Sequence, residues 1–125
     1  MSGCAVVIGG GDYDGCAEFE SLTEPVARRN HICCECHEVI ARGMKYERVA
    51  GKFDGDMYVV KTCSVCAEIR DAFASDHGAY PAAGELWMDL SRCFRYITTG
   101  CFARLSTAEA KAKLREKWMK WKGIA

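Results

Sequence analysis

The sequence lacks a net charge, a long apolar run and a secretory leader pattern. Seventeen Lys and Arg residues balance seventeen Asp and Glu residues, so nucleic acid or a membrane surface would have to meet a local charged patch. The longest early apolar run, Ala5 to Ile8, is far shorter than the roughly 20 residues of a membrane span. The first residues carry no basic region followed by an apolar core. We therefore expect a cytoplasmic protein that does not bind membranes.

The sequence also lacks internal repeats, low-complexity tracts and a complete nucleotide-binding motif. The glycine run at residues 9–11 has neither the Lys-Ser/Thr ending of a phosphate-binding loop nor the spacing of a dinucleotide fingerprint. This run predicts a flexible turn. A length of 125 residues, with 50% hydrophobic and 27% charged residues, indicates one compact folded domain.

Nine cysteines are the one unusual feature of the composition. Four of them form the pairs Cys33-x-x-Cys36 and Cys63-x-x-Cys66, with 26 residues between the pairs. Two cysteines at this spacing direct both sulfurs at one ion from a tight turn, and two such turns complete a tetrahedral four-sulfur shell that suits Zn²⁺. Clustered cysteines in a reducing compartment hold metal more often than they form disulfides. The sequence therefore predicts one structural zinc ion bound by these four residues.

The other cysteines leave two alternatives open. Cys34 and His37 repeat the spacing one residue along, which gives a second register with three sulfurs and one nitrogen. The other alternative is a second metal ion held by Cys4 and Cys16, although these residues lack paired spacing. Otherwise we expect packing residues or free thiols at the remaining positions, which are Cys4, Cys16, Cys93 and Cys101.

Local patterns place the second cysteine pair between a hairpin and a helix. Residues 43–62 are rich in aromatic and β-branched side chains, and Asp54-Gly55 divides them with a turn signal, which predicts a β-hairpin. Apolar residues then recur every four positions at Val65, Ile69 and Phe73, which predicts a helix of about ten residues. A cysteine knuckle, a hairpin and a helix that carries the second pair are, in this order, typical of a treble-clef zinc finger.

Two further amphipathic helices are predicted near the C-terminus. Apolar residues between Leu86 and Ile97 recur with helical spacing, and residues 98–100 are expected to end that helix. Residues 106–109 match a capping box that opens a last helix, which we expect to reach about Lys122. The predicted fold class is therefore α+β, with a small treble-clef-like zinc unit followed by two amphipathic helices.

The charge is distributed unevenly along the chain. We divide the chain into an acidic N-terminal arm at 1–30, a zinc-binding unit at 31–76 and a helical part at 77–125 packed on it. The arm is expected to be loosely ordered, with a short strand at residues 5–8. The candidate partner-binding residues lie at the two charged ends and are Asp12, Asp14, Glu18, Glu20, Lys111, Lys113, Arg115, Lys117, Trp118, Lys120, Trp121 and Lys122.

Four stretches of the sequence resemble a family of small, mostly uncharacterised phage and prophage proteins. They are His31-Ile32-Cys33-Cys34-Glu35-Cys36, Gly43-Met44-Lys45-Tyr46-Glu47, Gly51-Lys52-Phe53-Asp54-Gly55 and Lys61-Thr62-Cys63-Ser64-Val65-Cys66-Ala67-Glu68-Ile69-Arg70. The resemblance covers residues 12–75 well and the Trp-rich tail weakly. It implies a zinc-binding fold and a phage or prophage origin. Members of the family usually carry Gly after the second knuckle cysteine, where this chain has His37.

These features favour a binding protein over an enzyme. Two cysteine pairs make a closed metal site without the open position that catalytic zinc needs, so we expect no catalytic residues and no small-molecule substrate. Separate acidic and basic ends suit docking on a charged protein surface. The favoured hypothesis is a phage accessory protein that binds a host or phage protein complex in the host cytoplasm, for example as an inhibitor of restriction or CRISPR systems. The alternative is nucleic-acid binding by the basic, Trp-containing last helix.

Overall fold

The computed structural model describes residues 3–8, 19–74, 81 and 83–123. Within them the chain forms two small antiparallel sheets and four α-helices, which confirms the α+β class. The strands are β1 (Phe19–Thr23), β2 (His31–Ile32), β3 (Val39–Ile40), β4 (Tyr46–Phe53) and β5 (Asp56–Cys63). The helices are α1 (Ser64–Phe73), α2 (Leu86–Ser91), α3 (Thr99–Phe102) and α4 (Ala108–Lys122).

The larger sheet is built around the predicted hairpin. Strands β4 and β5 pair antiparallel from Tyr46 opposite Cys63 to Phe53 opposite Asp56. The two residues between them, Asp54 and Gly55, have φ angles of 50° and 85°. Positive φ at both positions of a two-residue turn matches the twist of the flanking strands. The predicted hairpin and its turn are therefore confirmed.

Strand β1 was not predicted from the sequence. It pairs antiparallel with the other side of β4, so the sheet has the order β1-β4-β5. Its sequence FESLT lacks the strict alternation of apolar and polar residues that marks a half-buried strand, and residues 20–23 are exposed. The strand conformation of this segment is instead fixed by its pairing with β4, which is more than 20 residues away in the sequence. In this pairing Thr23 lies opposite Arg48.

Helix α1 begins where β5 ends, as the four-residue spacing of its apolar side chains predicts. The side chain of Cys63 accepts a hydrogen bond from the backbone N–H of Cys66 at 3.4 Å, which caps the first turn. Ile69 and Phe73 are fully buried against the rest of the core. This confirms the helix, and it fixes the second cysteine pair at the helix start.

The C-terminal part contains more breaks than its apolar spacing predicts. Helix α2 ends at Ser91, a 3-10 turn follows at Phe94–Tyr96, and α3 forms at the position where we expected a helix to end. Helix α4 matches the predicted last helix. Its N-cap is Thr107, whose hydroxyl accepts the N–H of Ala110 at 3.2 Å, rather than the first residue of the capping-box pattern. No helix among the described residues is both long and apolar enough to cross a membrane.

The N-terminal segment at residues 3–8 packs against the helices. Val6 and Ile8 are buried, and the N–H of Ile8 donates to the carbonyl of Phe73 at 2.6 Å. The guanidinium of Arg104 donates to the carbonyls of Cys4 and Val6 at 2.5 and 2.9 Å. These contacts hold the segment between the end of α1 and the residues that follow α3.

Cys4 and Cys101 form a disulfide across this contact, which corrects our expectation for both residues. They are 97 positions apart in the sequence, so no local spacing marks them as a pair. The disulfide also contradicts the alternative of a second metal site at Cys4 and Cys16, because the sulfur of Cys4 is already bonded. Cys16 itself lies outside the described residues. Cys93 is half-buried and packs against the core, as expected.

We predict that the double substitution Cys4→Ala and Cys101→Ala lowers the free energy of unfolding by about 2–4 kcal/mol, because a cross-link over so long a loop restricts the unfolded chain. Urea unfolding of the metal-loaded protein measures the effect. Cys93→Ala is the control, since it removes a cysteine packed on the same core without removing a cross-link. Equal unfolding midpoints for the wild type and the double variant would contradict the prediction.

Candidate metal centre

The first cysteine pair lies in a tight turn between β2 and β3. The N–H of Cys33 donates to the carbonyl of Glu38 at 3.0 Å, and the N–H of His37 donates to the carbonyl of Cys33 at 3.0 Å. His37 has a φ of 61°, in the left-handed region that few residues other than glycine adopt. This conformation closes the turn and leaves Cys33 and Cys36 on the same side of it.

The second pair is brought to the first by the hairpin. Cys63 is the last residue of β5, and Cys66 lies in the first turn of α1. The backbone N–H of Cys63 donates to the sulfur of Cys33 at 3.4 Å, which ties the hairpin directly to the turn. The N–H of Cys34 also donates to the carbonyl of Lys61 at 2.9 Å. The end of β5 and the turn are thus joined on both sides of the cluster.

The four sulfurs converge at a spacing that fits a metal ion. They all lie within 4.8 Å of one another, and the sulfurs of Cys36 and Cys63 are 3.9 Å apart. Metal–sulfur bonds of about 2.3 Å in a tetrahedron separate the sulfurs by about 3.8 Å. Cys33 and Cys66 are fully buried, and the other two cysteines are half-buried. The residues therefore fit a closed, four-thiolate metal site.

Without a metal, the cluster favours negative charge on the sulfur of Cys33 and holds protons on Cys63 and Cys66. Cys33 accepts hydrogen bonds from the Cys63 and Cys66 side chains and from the backbone, and together these lower the pKa of its thiol. The pKa of the Cys66 thiol is raised, because its hydrogen bonds to the Cys33 and Cys63 sulfurs hold its proton. A bound divalent cation would replace the protons that the sulfurs share, since metal binding requires thiolates.

The alternative register with Cys34 and His37 is not assembled in the described part of the chain. The Cys34 sulfur lies 3.5 Å from the hydroxyl oxygen of Thr62, outside the four-sulfur cluster. Burial raises the pKa of the Cys34 thiol, which disfavours the thiolate that a metal ligand requires. His37 sits where a strained backbone closes the turn, so its role in this geometry is conformational. The structure brings together the four cysteines of the first register.

Sequence reasoning missed the role of Glu35, which lies between the two ligand cysteines of the first pair. Its carboxylate is buried and accepts the backbone N–H of Leu86 at 3.1 Å, at the start of α2. Burial raises the pKa of this carboxyl group. The contact joins the metal-binding turn to the C-terminal part. An acidic residue inside a metal-binding turn is the one sequence signal that could have suggested a special role.

Glu68 makes a similar link that sequence reasoning also missed. Its carboxylate on α1 accepts the N–H of Ser106 at 2.7 Å and the hydroxyl of Thr107 at 2.8 Å, just before α4 begins. Burial works to raise the pKa of Glu68, but these hydrogen bonds outweigh it and lower the pKa. The helix that carries Cys66 therefore also positions the last helix.

The basic residues of α4 are mostly engaged within the chain. Lys113 forms an ion pair with Glu38, and Lys120 lies 3.5 Å from the carboxylate of Glu116. The ammonium of Lys117 lies 5.6 Å from the ring centre of Trp87. Lys111 and Arg115 are exposed. The predicted basic surface is thus smaller than the residue count suggests.

The tryptophans of α4 pack on their own chain, although one of them stays partly exposed. The ammonium of Lys122 lies 4.7 Å from the ring centre of Trp118, which is partly buried against the core. Trp121 makes an edge contact with Phe94 at 5.9 Å and keeps 45% of its surface exposed.

Of the four acidic candidates in the N-terminal arm, the structure describes Glu20. Asp12, Asp14 and Glu18 lie outside the described residues. Glu20 is exposed on β1, where its carboxylate accepts the hydroxyl of Tyr58 at 2.7 Å. The one described candidate of the arm therefore already has a partner in the sheet.

No protein-family model matches this chain, and no match was found among curated proteins or solved structures. The geometry of the four-cysteine cluster is therefore the main basis for assigning a function. The resemblance to small phage and prophage proteins stays a prediction.

Proposed function

We propose that this protein is a non-enzymatic binding module whose fold is stabilised by one structural zinc ion. The observation that carries the proposal is the convergence of Cys33, Cys36, Cys63 and Cys66 to within 4.8 Å of one another. Four cysteine sulfurs match the soft ligand set that zinc prefers in structural sites. All four positions of a tetrahedral ion would be filled by protein, which leaves no position for a substrate or an activated water.

The order of elements supports a treble-clef arrangement for this site. The first pair lies in the turn between β2 and β3, the hairpin β4–β5 follows, and the second pair spans the end of β5 and the first turn of α1. The helix start places backbone N–H groups near thiolate charge, which is favourable. In this arrangement the zinc ion would join a turn, a hairpin and a helix at one point.

For the partner, we propose a protein complex rather than nucleic acid. Most cations of α4 are occupied by Glu38, Glu116, Trp87 and Trp118, so the basic helix offers fewer free charges to phosphate groups. We keep the hypothesis of a phage or prophage accessory protein that acts on a host or phage complex, which rests on the sequence resemblance.

Metal analysis of the purified protein tests the zinc assignment. We expect one zinc ion per chain, and substitution by Co²⁺ should give the intense visible bands of a tetrahedral thiolate site. Cys34→Ser and His37→Gly are matched controls, because they alter the alternative register without touching the cluster. Both variants should keep one ion. Loss of the metal in Cys34→Ser, or two ions in the wild type, would contradict the single four-cysteine site.

A further inference from the structure

Strand β5 is an edge strand whose outer side is open along part of its length. The sheet order β1-β4-β5 leaves β5 without a strand neighbour on that side among the described residues. Because the turn has two residues, Phe53 and Asp56 form a hydrogen-bonded pair. Hydrogen-bonded and non-hydrogen-bonded pairs then alternate along the hairpin. The backbone groups of Met57, Val59 and Lys61 therefore point away from β4.

Two contacts support this alternation and mark where the free edge ends. The carbonyl of Lys61 accepts the N–H of Cys34 at 2.9 Å, and the N–H of Cys63 donates to the sulfur of Cys33 at 3.4 Å. Both contacts come from outside the hairpin. The outward backbone groups of Met57 and Val59 make no hydrogen bond with the described chain, and these residues are 64% and 49% exposed. Unpaired strand edges of this kind can accept another strand.

The groove beside this edge is positively charged. Arg48 and Lys61 lie directly opposite each other on the hairpin, and like charges in such a pair are unfavourable. With Arg29 and His31 they line a groove of about 560 Å³ next to Val59. Among the described residues, no carboxylate lies within ion-pair distance of Arg29, Arg48 or Lys61. The described residues thus leave the positive charge of the groove without an acidic partner.

We propose that the free edge of β5 binds an extended acidic peptide segment of a partner protein, which adds a strand to the sheet. The backbone of Val59 would pair with the segment, and alternate acidic side chains would reach Arg48 and Lys61. This inference rests on the proposed function as a protein-binding module, and it assigns the partner surface to the hairpin rather than to the charged ends of the chain.

The groove suits a peptide better than a nucleic acid or a second copy of this chain. Bases need exposed aromatic rings on which to stack, but Tyr46, the aromatic ring of the groove apart from His31, is only 7% exposed. The exposed apolar side chains there are aliphatic, with Ile32 at 57% and Val59 at 49%. A second copy paired through β5 would bring the same cations together without compensating acids.

A capped eight-residue peptide of alternating Glu and Val, labelled for fluorescence anisotropy, is the first probe. It should bind the zinc-loaded protein, whereas the same peptide with Lys in place of Glu should not. Methylation of the alternate amide nitrogens that face the edge should weaken binding at least about tenfold. Arg48→Glu and Lys61→Glu should each weaken it by a similar factor. The control is Arg115→Glu, which reverses the charge of an exposed residue on α4. It should leave the affinity within about twofold of the wild-type value.

Several results would overturn the proposal. They are equal binding of the Glu and Lys peptides, no effect of amide methylation, tighter binding of a thymidine oligonucleotide than of the acidic peptide, and pairing of β5 with itself in a dimer. Each variant is compared at equal zinc content and with an unchanged circular dichroism spectrum. If the folded, zinc-loaded protein fails to bind the peptide, this inference fails. If the fold survives without metal, the structural role of zinc in the proposed function fails instead.

Discussion

Removal of the metal from the four-cysteine cluster is expected to unfold the region between β2 and α1. Structural zinc contributes apparent free energies of about 10–16 kcal/mol in small zinc-finger peptides. Whole domains are stable by only about 5–15 kcal/mol. The metal-binding turn is flanked by two-residue strands and contains a residue with positive φ, so apart from the hydrogen bonds of Cys34 and Glu35 its stability depends on the metal. Without the metal, four buried or half-buried thiols would also face each other with no cation between them.

Circular dichroism and amide hydrogen exchange during titration with a zinc chelator measure this effect. Cys66→Ser should reproduce it, because Cys66 is a fully buried member of the cluster and lies in the first turn of α1. Cys93→Ser is the matched control, since it replaces a thiol that packs on the core outside the cluster. We expect the control to keep its metal and its spectrum. A Cys66→Ser protein with native helix content and native exchange protection would refute the structural role of the metal.

The loss should extend beyond the metal-binding turn. Glu35 joins this turn to the start of α2, and Glu68 on α1 holds the residues that precede α4. When α1 loses its position, Ser106 and Thr107, which precede α4, lose the three hydrogen bonds that they donate to Glu68. Hydrogen exchange in α4 should therefore accelerate together with exchange in α1, even though α4 contains no ligand.

The features that could be predicted from the sequence are those with local causes. Asp54-Gly55 fixes the hairpin turn through backbone conformation, and the spacing of Val65, Ile69 and Phe73 fixes one face of α1. The paired cysteines have a local geometric requirement as well. Because these signals act over a few residues, the hairpin, the helix and the convergence of the four sulfurs all follow from them.

The features that could not be predicted depend on contacts between distant segments. The disulfide joins residues 97 positions apart, and β1 is fixed by its pairing with β4. Glu35 lies between two cysteines and Glu68 among ordinary helical residues, yet each carboxylate accepts a hydrogen bond from the backbone of another part of the chain. Nothing in their local spacing indicates this, because the partner N–H groups become free only where a helix begins.

The charge pattern illustrates the same limit. The sequence places an excess of cations in the last helix, but several of these pair with acids or lie over tryptophan rings of their own chain. Arg29, Arg48 and Lys61, which have no carboxylate within ion-pair distance among the described residues, instead come together in one groove from separate segments of the sequence. Net charge by segment counts the residues, whereas the available charge depends on which of them already have partners.

Loss of the guanidinium in Arg70→Met is expected to lower the free energy of unfolding by about 3–5 kcal/mol. Arg70 on α1 donates to both carboxylate oxygens of Glu47 on β4 at 2.6 and 2.7 Å. These hydrogen bonds raise the pKa of Arg70 above its ordinary value. The side chains are only 14% and 8% exposed, so removal of one partner leaves a buried charge without compensation.

The two partners should respond unequally, which separates this effect from a general loss of packing. In Glu47→Met, the arginine keeps an ion pair with Asp71 at 2.8 Å, so we expect a smaller loss than in Arg70→Met. The double variant should recover part of the loss, because two apolar side chains leave no buried charge. Urea unfolding at saturating zinc measures all three variants in a double-mutant cycle.

Arg92→Met is the control, since Arg92 is 71% exposed and its partner Asp89 lies 3.8 Å away. This substitution should change the free energy of unfolding by less than about 0.5 kcal/mol. If Arg70→Met costs no more than this control, the pair does not hold α1 against the sheet.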